Sequence, residues 1–307
     1  MDHFGPSALT IGNFDGVHAG HRAILRRVVA LARERGWKAS VLTFDPHPAR
    51  VVAPERAPRL LTTPEERVGL MREEGIEQVL ILPFTSELAG FTPERFVREI
   101  VVERLEARAV LVGDNFRFGH EHAGDTRVLA QLGRREGFLV EAVPAIRMRG
   151  RVVSSSEVRR LIEEGDVALA ARLLARPYAL AGEVVAGQGI GSKQTVPTLN
   201  LAPAAEVLPA RGVYITRTTD PATGRRWTSV TNVGTRPTFG GESVTVETFL
   251  LDPLAGTSPR AIRVEFLKRL REERRFEDAA ALKRQILRDV GRARSYFRLV
   301  SRIGGPV

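Results

Sequence analysis

Apolar residues in the first half of the chain alternate between short continuous runs and stretches of helical period. Ala8-Leu9-Thr10-Ile11 is a compact apolar run that ends in Gly. Residues 21–35 follow with Ile24, Leu25, Val28, Val29, Leu31 and Ala32 at helical spacing. Ala39-Ser40-Val41-Leu42-Thr43-Phe44 reads as a second strand, stopped by Asp45-Pro46. Gln78-Val79-Leu80-Ile81-Leu82 and Ala109-Val110-Leu111-Val112 read as further buried strands, each preceded by helix-like sequence. Pro64 behind Thr62-Thr63 and Pro93 behind Thr92 read as first-turn prolines after a capping hydroxyl. Strand, helix, strand, helix predicts an α/β domain: a Rossmann-like parallel sheet with helices on both faces. Ligands of such sheets gather beyond the carboxyl ends of the strands.

The pattern changes near Leu173-Leu174-Ala175-Arg176-Pro177-Tyr178. Beyond it come short alternating segments, such as Gly212-Val213-Tyr214-Ile215-Thr216-Arg217 and Ser243-Val244-Thr245-Val246-Glu247-Thr248-Phe249-Leu250. Asp220-Pro221, Thr223-Gly224 and Gly240-Gly241 punctuate them as turns. This half predicts a small antiparallel β-barrel. A terminal helix is expected over about residues 276–297, with Leu282, Ile286 and Val290 on its apolar side. The division expected is a first domain over 1–172, a linker over 173–178 and a second domain over 179–307.

Composition changes this picture little. The 307 residues contain no cysteine, which excludes disulfides, thiolate zinc sites and cysteine nucleophiles. That suits a reducing cytoplasm, and no signal peptide is visible at the N-terminus. No apolar run is long enough to span a membrane. The net charge is +10. The charges are scattered and mixed with Glu, as in Arg269-Leu270-Arg271-Glu272-Glu273-Arg274, without a basic stripe carrying aromatics. The expectation is therefore small anionic ligands rather than nucleic acid, although a basic barrel protein that binds nucleic acid is the alternative from another class.

The chemistry concentrates where the first strand meets the first helix, in Gly12-Asn13-Phe14-Asp15-Gly16-Val17-His18-Ala19-Gly20-His21. Glycines at 12, 16 and 20 permit close backbone approach. A helix N-terminus offers free N–H groups and the positive end of its dipole to an anion. His18 and His21, three apart at that entrance, suit phosphate oxygens. They also suit a metal pair, or a surface without function. His47 lies at the end of the second strand. The conjunction of strand, glycine turn, His-x-Gly-His and helix points to nucleotidyl transfer.

The segment 12–21 resembles the signature of the adenylyltransferase module of bacterial bifunctional riboflavin kinase/FAD synthetases. Thr43-Phe44-Asp45-Pro46-His47-Pro48, Gly113-Asp114-Asn115-Phe116-Arg117-Phe118-Gly119 and Ser154-Ser155-Ser156-Glu157-Val158-Arg159 resemble the family's second, third and fourth motifs. The resemblance implies that this half joins ATP and FMN to give FAD and pyrophosphate. It implies ATP and phosphate binding by Gly12, Asn13, Phe14, Gly16, Asn115, Ser155, Ser156 and Arg159, catalysis by His18 and His21, and flavin contacts from Phe44, Pro46 and His47. An FMN phosphate is already a nucleophile, so alignment and charge neutralisation suffice. Ser155 and Ser156 read equally as a plain helix cap with Glu157 in the first turn.

In the second half, Pro197-Thr198-Leu199-Asn200, Asn232-Val233-Gly234-Thr235-Arg236-Pro237-Thr238-Phe239-Gly240 and Val246-Glu247-Thr248 resemble, in order, the riboflavin kinase module of the same family. By that resemblance Thr198 and Asn200 hold Mg²⁺ and ATP, and Glu247 is the general base for riboflavin. An alcohol needs such a base, because its proton must go somewhere. Gly191-Ser192-Lys193-Gln194-Thr195-Val196 departs from the family's usual sequence, so an enzyme retaining only one activity is the second reading. The implied partners are small molecules, ATP and flavins, with no nucleic acid or membrane, acting on a monomer or transient homo-oligomer.

Overall fold

A computed structural model describes residues 5–185, 198–238, 241–254, 257–274 and 276–302. Within it the chain divides into two compact units, Met1–Ser155 and Ser156–Val307. The segment 191–197 and the pair Phe239-Gly240 singled out above lie outside the described residues.

The first unit is built on a parallel sheet of five strands in the order β3-β2-β1-β4-β5. They are β1 (Ser7–Ile11), β2 (Lys38–Asp45), β3 (Gln78–Pro83), β4 (Ala107–Gly113) and β5 (Leu139–Val143). Its helices are α1 (Ala19–Arg35), α2 (Pro48–Val52), α3 (Pro64–Glu73), α4 (Ser86–Ala89), α5 (Pro93–Phe96) and α6 (Thr126–Glu136), with α5 running on as a wider helical turn over Val97–Arg104. Both sheet faces are covered, as near-continuous apolar strands require. Ala8, Val41, Ala109 and Leu111 pack under α1 with Leu25, Val28 and Val29. Leu9, Ile11, Leu42, Val110 and Val112 face the opposite layer with Phe96, Val101, Leu129 and Leu132. Thr63 and Thr92 cap α3 and α5 ahead of Pro64 and Pro93, and Thr63 forms a full capping box with Glu66. A small hairpin, β6 (Arg147–Met148) and β7 (Arg151–Val152), leads to α7 (Ser155–Glu164).

The second unit is a closed antiparallel barrel, β10-β11-β12-β9-β8-β13. Its strands are β8 (Tyr178–Val185), β9 (Thr198–Pro203), β10 (Gly212–Thr219), β11 (Arg226–Thr238), β12 (Gly241–Leu250) and β13 (Ala261–Arg271). Before it comes α8 (Val167–Leu174), which packs on β8 and β13 through a buried face of Val167, Ala170, Leu173 and Leu174. Part of the buried barrel core is polar. Thr216, Thr218, Ser229, Thr231 and Thr248 are fully buried and join hydroxyl to hydroxyl at 2.8–3.0 Å, so each buried oxygen finds a partner.

The terminal helix α9 (Ala279–Arg302) corrects the sequence expectation in two respects. It starts after Phe276 because Asp278 Oδ1 accepts from Ala281 N–H at 2.6 Å and caps it. Phe276 instead lies beside the guanidinium groups of Arg274 and Arg271, 5.0 and 5.7 Å from its ring centre. The side expected to be apolar meets the core only at Val290, which packs half-buried against it. Leu282 and Ile286 are exposed, whereas Gln285, Asp289, Ala293 and Phe297 are buried. Ala293 and Phe297 pack on Val213, Ile215 and Val230. One turn nearer the N-terminus the buried contacts are polar: Arg271 Nε donates to Asp289 Oδ2 and Gln285 Nε2 to Asp289 Oδ1, both at 2.9 Å.

The fold also gathers charges that look scattered along the chain. Lys268, Arg269, Arg271, Arg274, Arg288 and Arg292 border one groove between β13 and α9. Some are occupied within it: Arg271 by Asp289, Arg274 by Gln285, and Arg269 by the Arg211 carbonyl.

Candidate active sites

In the first unit, β1 pairs with β2 on one side and β4 on the other, so the strand order reverses at the carboxyl ends of β1 and β4. This is the crevice where open parallel sheets bind ligands. The turn after β1 occupies it. Gly12 N–H still bonds to Leu42 C=O at 3.1 Å, continuing the ladder. The chain then turns through left-handed backbone at Phe14 (φ 51°), Gly16 (φ 77°) and Val17 (φ 39°). For a β-branched residue such as Val17 that conformation is strained.

The strain is held by ties to distant segments. Asp15 Oδ1 accepts from Leu61 N–H at 2.9 Å and Thr62 N–H at 3.2 Å. Gly16 N–H donates to Thr62 Oγ1 at 3.1 Å, and Arg67 Nη1 to the Asn13 carbonyl at 2.6 Å. Ser155 Oγ donates to the Asp15 carbonyl at 2.9 Å. Ser155 therefore fastens the turn in addition to opening α7. Sequence reading missed Asp15, Thr62 and Arg67 as parts of this site. Their signal is tertiary, since the partners lie 46 to 54 positions apart.

The turn delivers His18 to the N-cap of α1, where its Nδ1 accepts from His21 N–H at 3.2 Å. The two imidazoles stack with centroids 3.6 Å apart and planes 15° from parallel, and Phe14 meets His21 edge-on at 5.1 Å. A Cβ on Gly20 would lie 3.1 Å from the His18 ring. Gly20 therefore leaves the space that the ring occupies. His18 is buried and His21 half-buried, with His21 Nδ1 buried and unpartnered among the described residues. Burial holds the His21 pKa well below its ordinary value, and the charges of His18 and Arg67 lower it further. These surroundings favour the neutral form of His21.

Strand β2 brings its own motif to the same edge. Phe44 packs edge-on against Phe84 at 5.5 Å. Pro46 follows on a cis peptide bond, and His47 caps α2. His47 Nδ1 accepts from Ala49 N–H at 3.2 Å, so a neutral ring carries its proton on Nε2. Nε2 lies 3.0 Å from the Asn13 side-chain amide, which must then turn its oxygen to that proton. This bond joins the first and second motifs. Asn115 is exposed just beyond β4, where its Oδ1 lies 3.1 Å from the place a Cβ on Gly113 would take. Ser156 is exposed and Arg159 half-buried on α7, in the second unit.

In the barrel, Glu247 on β12 pairs with Asn200 on β9 and with Asn232 on β11. Thr198 and Asn200 alternate with the buried Leu199 and Leu201, so they share the outward face of β9. A carboxylate, an amide and a hydroxyl thus come to one face of adjacent strands. Thr198 and Asn200 offer hard, neutral oxygens, which suit Mg²⁺ shared with phosphates and water. Among the described residues no cluster of three or more His, Asp or Glu forms a separate cage for a metal.

Residues 2–157 match the FAD synthetase family, and residues 174–297 match the riboflavin kinase family. A bifunctional riboflavin kinase/FMN adenylyltransferase of Pseudomonas fluorescens is 38% identical over 93% of this chain and 91% of its own length. That of Escherichia coli K12 is 36% identical over 95% and 93%. A crystal structure described as a macrolide-efflux protein from Streptococcus pneumoniae superposes with a TM-score of 0.86 at 26% identity, covering 94% of each chain. No helix among the described residues is long and apolar enough to cross a membrane.

Proposed function

The chain belongs to the bifunctional riboflavin kinase/FMN adenylyltransferase family, and from that premise we propose how its residues divide two consecutive reactions. It is an enzyme that phosphorylates riboflavin with ATP to give FMN, then adenylylates FMN with ATP to give FAD. We assign the adenylyl transfer to residues 1–172 and the phosphorylation to residues 179–307, joined by 173–178, in a cytoplasmic monomer or transient homo-oligomer.

In the first reaction Glu247 takes the proton of the riboflavin primary hydroxyl as its oxygen attacks the γ-phosphorus of ATP, and ADP leaves. Thr198 and Asn200 would hold Mg²⁺, which when bound would neutralise charge on the transferring phosphoryl group. In the second, an FMN phosphate oxygen attacks the α-phosphorus of ATP and the bond to pyrophosphate breaks. His18 and His21 donate to the triphosphate at the N-terminus of α1, where the backbone of Gly12, Asn13, Phe14 and Gly16 lines the approach. Asn115 contacts the nucleotide, and Ser155, Ser156 and Arg159 take the pyrophosphate. Phe44, Pro46 and His47 border the flavin. The observation that carries this reading is the stacked His18–His21 pair at the β1/β4 crevice, coupled to the flavin-side motif through Asn13 and His47.

Purified protein given riboflavin, ATP and Mg²⁺ should show FMN before FAD in a chromatographic time course. His21→Ala should slow FAD formation by about 10²–10³-fold and let FMN accumulate. Glu247→Gln should slow FMN formation by about 10²–10⁴-fold while supplied FMN is still adenylylated. A Glu247→Gln protein that phosphorylates riboflavin normally removes the general-base role. Absence of both products, with oxidised and with reduced flavin, overturns the whole reading.

A further inference from the structure

Arg67 stands in the second turn of α3 and is 2% exposed, among the largest fully buried side chains described. Among the described residues only Nη1 is satisfied: it donates to the Asn13 carbonyl, with Thr43 Oγ1 3.5 Å away. Thr43 Oγ1 itself donates to the same carbonyl at 3.3 Å. Nε and Nη2 are buried without a hydrogen-bond partner among the described residues. Asp15 and Asp45 act on Arg67 through space, against the desolvation that burial imposes.

A buried guanidinium with unmet donors destabilises a fold. An apolar side chain of similar volume would fill this space at less cost. Packing therefore does not account for Arg67, and its one strong bond shows where it acts. Asn13 precedes the strained residues Phe14, Gly16 and Val17, and its side chain reaches His47. We infer that Arg67 is a positioning residue for adenylyl transfer, fixing the Asn13 carbonyl and with it the turn that presents His18 and His21 to ATP. This rests on the adenylyltransferase reading above. Arg67 also sets a permanent positive charge behind the imidazole pair, in a poorly solvated setting where charge acts strongly. That charge disfavours a proton on His21 until phosphate oxygens arrive.

Arg67→Met tests it. FAD formation from FMN should fall about 10- to 100-fold, mainly in kcat, as expected when reacting groups lose alignment. Riboflavin phosphorylation by the same chain should stay unchanged, and the His21 ring resonance should titrate at higher pH in NMR. Arg67→Lys, which restores the charge, should return the His21 midpoint toward the parent value and recover part of kcat. A Met variant with parental kcat and an unmoved His21 titration overturns the inference while leaving the adenylyltransferase reading intact. A parent protein that makes FMN but never FAD sinks that reading instead. If the Met variant loses phosphorylation and folding too, Arg67→Gln decides, because its amide ends two bonds short of Nη1 and so keeps polarity without the bond to Asn13 or the charge. A lowered kcat with a raised His21 midpoint supports the inference, and a parental kcat overturns it.

Discussion

At the scale of single residues, His21 links the site to pH. Its pKa is depressed in the folded chain, so the unfolded chain binds a proton more readily. The associated stability is fully present above the unfolded value near 6.5 and is lost as pH falls toward the folded pKa. The loss cannot exceed about 1.4 kcal/mol per pH unit for one group. Unfolding midpoints from pH 7.5 to 5 should therefore fall more steeply for the parent than for His21→Gln, and parallel curves would remove the effect. Saturating ATP should flatten the parent curve, because phosphate oxygens stabilise the imidazolium. The turn that brings Gly16, His18 and His21 to the start of α1 was legible in the sequence because it follows from residue type and local spacing. Asp15, Thr62 and Arg67 were not, since an acid in a turn, a hydroxyl before a cap and an arginine on a helix look ordinary until the chain brings them together.

At the scale of elements, the parallel sheet was legible almost strand for strand. A buried strand must be apolar on both faces, and Ala8-Leu9-Thr10-Ile11 and Ala109-Val110-Leu111-Val112 display that directly. The terminal helix shows where periodicity misleads. Its apolar side chains at Leu282 and Ile286 are exposed, while the buried side carries Gln285 and Asp289. Their partners Arg271 and Arg274 lie outside the helix, so no pattern within it could disclose the pairing. The ranking of substitutions inverts accordingly. Asp289→Ala leaves the largely buried Arg271 uncompensated and should destabilise by about 3 kcal/mol in urea unfolding. Leu282→Ala should cost less than about 1 kcal/mol, the range of surface sites. The opposite order would show that α9 packs by its apolar stripe.

At the scale of the whole molecule, the change from helical period to alternation predicts two domains with a boundary at 173–178, at the end of α8. Its buried face lies on β8 and β13, whereas the pattern places its sequence with the first half. A fragment of residues 156–307 should therefore be more stable than one of 179–307, by at least about 3 kcal/mol for the loss of several buried aliphatic contacts. Equal urea midpoints would place the boundary after α8. The basic groove between β13 and α9 escaped notice for a similar reason, because its two edges come from separate segments. The turn at residues 12–18 carries a temporal consequence of the same geometry. Its ties reach partners 46, 54 and 140 positions away. Contacts of such separation require long loops to close first and so form more slowly than local ones. During refolding, helix content is restored by local contacts, whereas the strained turn waits for α3 and for Ser155 to arrive. The ability to make FAD should therefore return after helix content when unfolded protein is diluted into buffer, and simultaneous return of both would remove the delay.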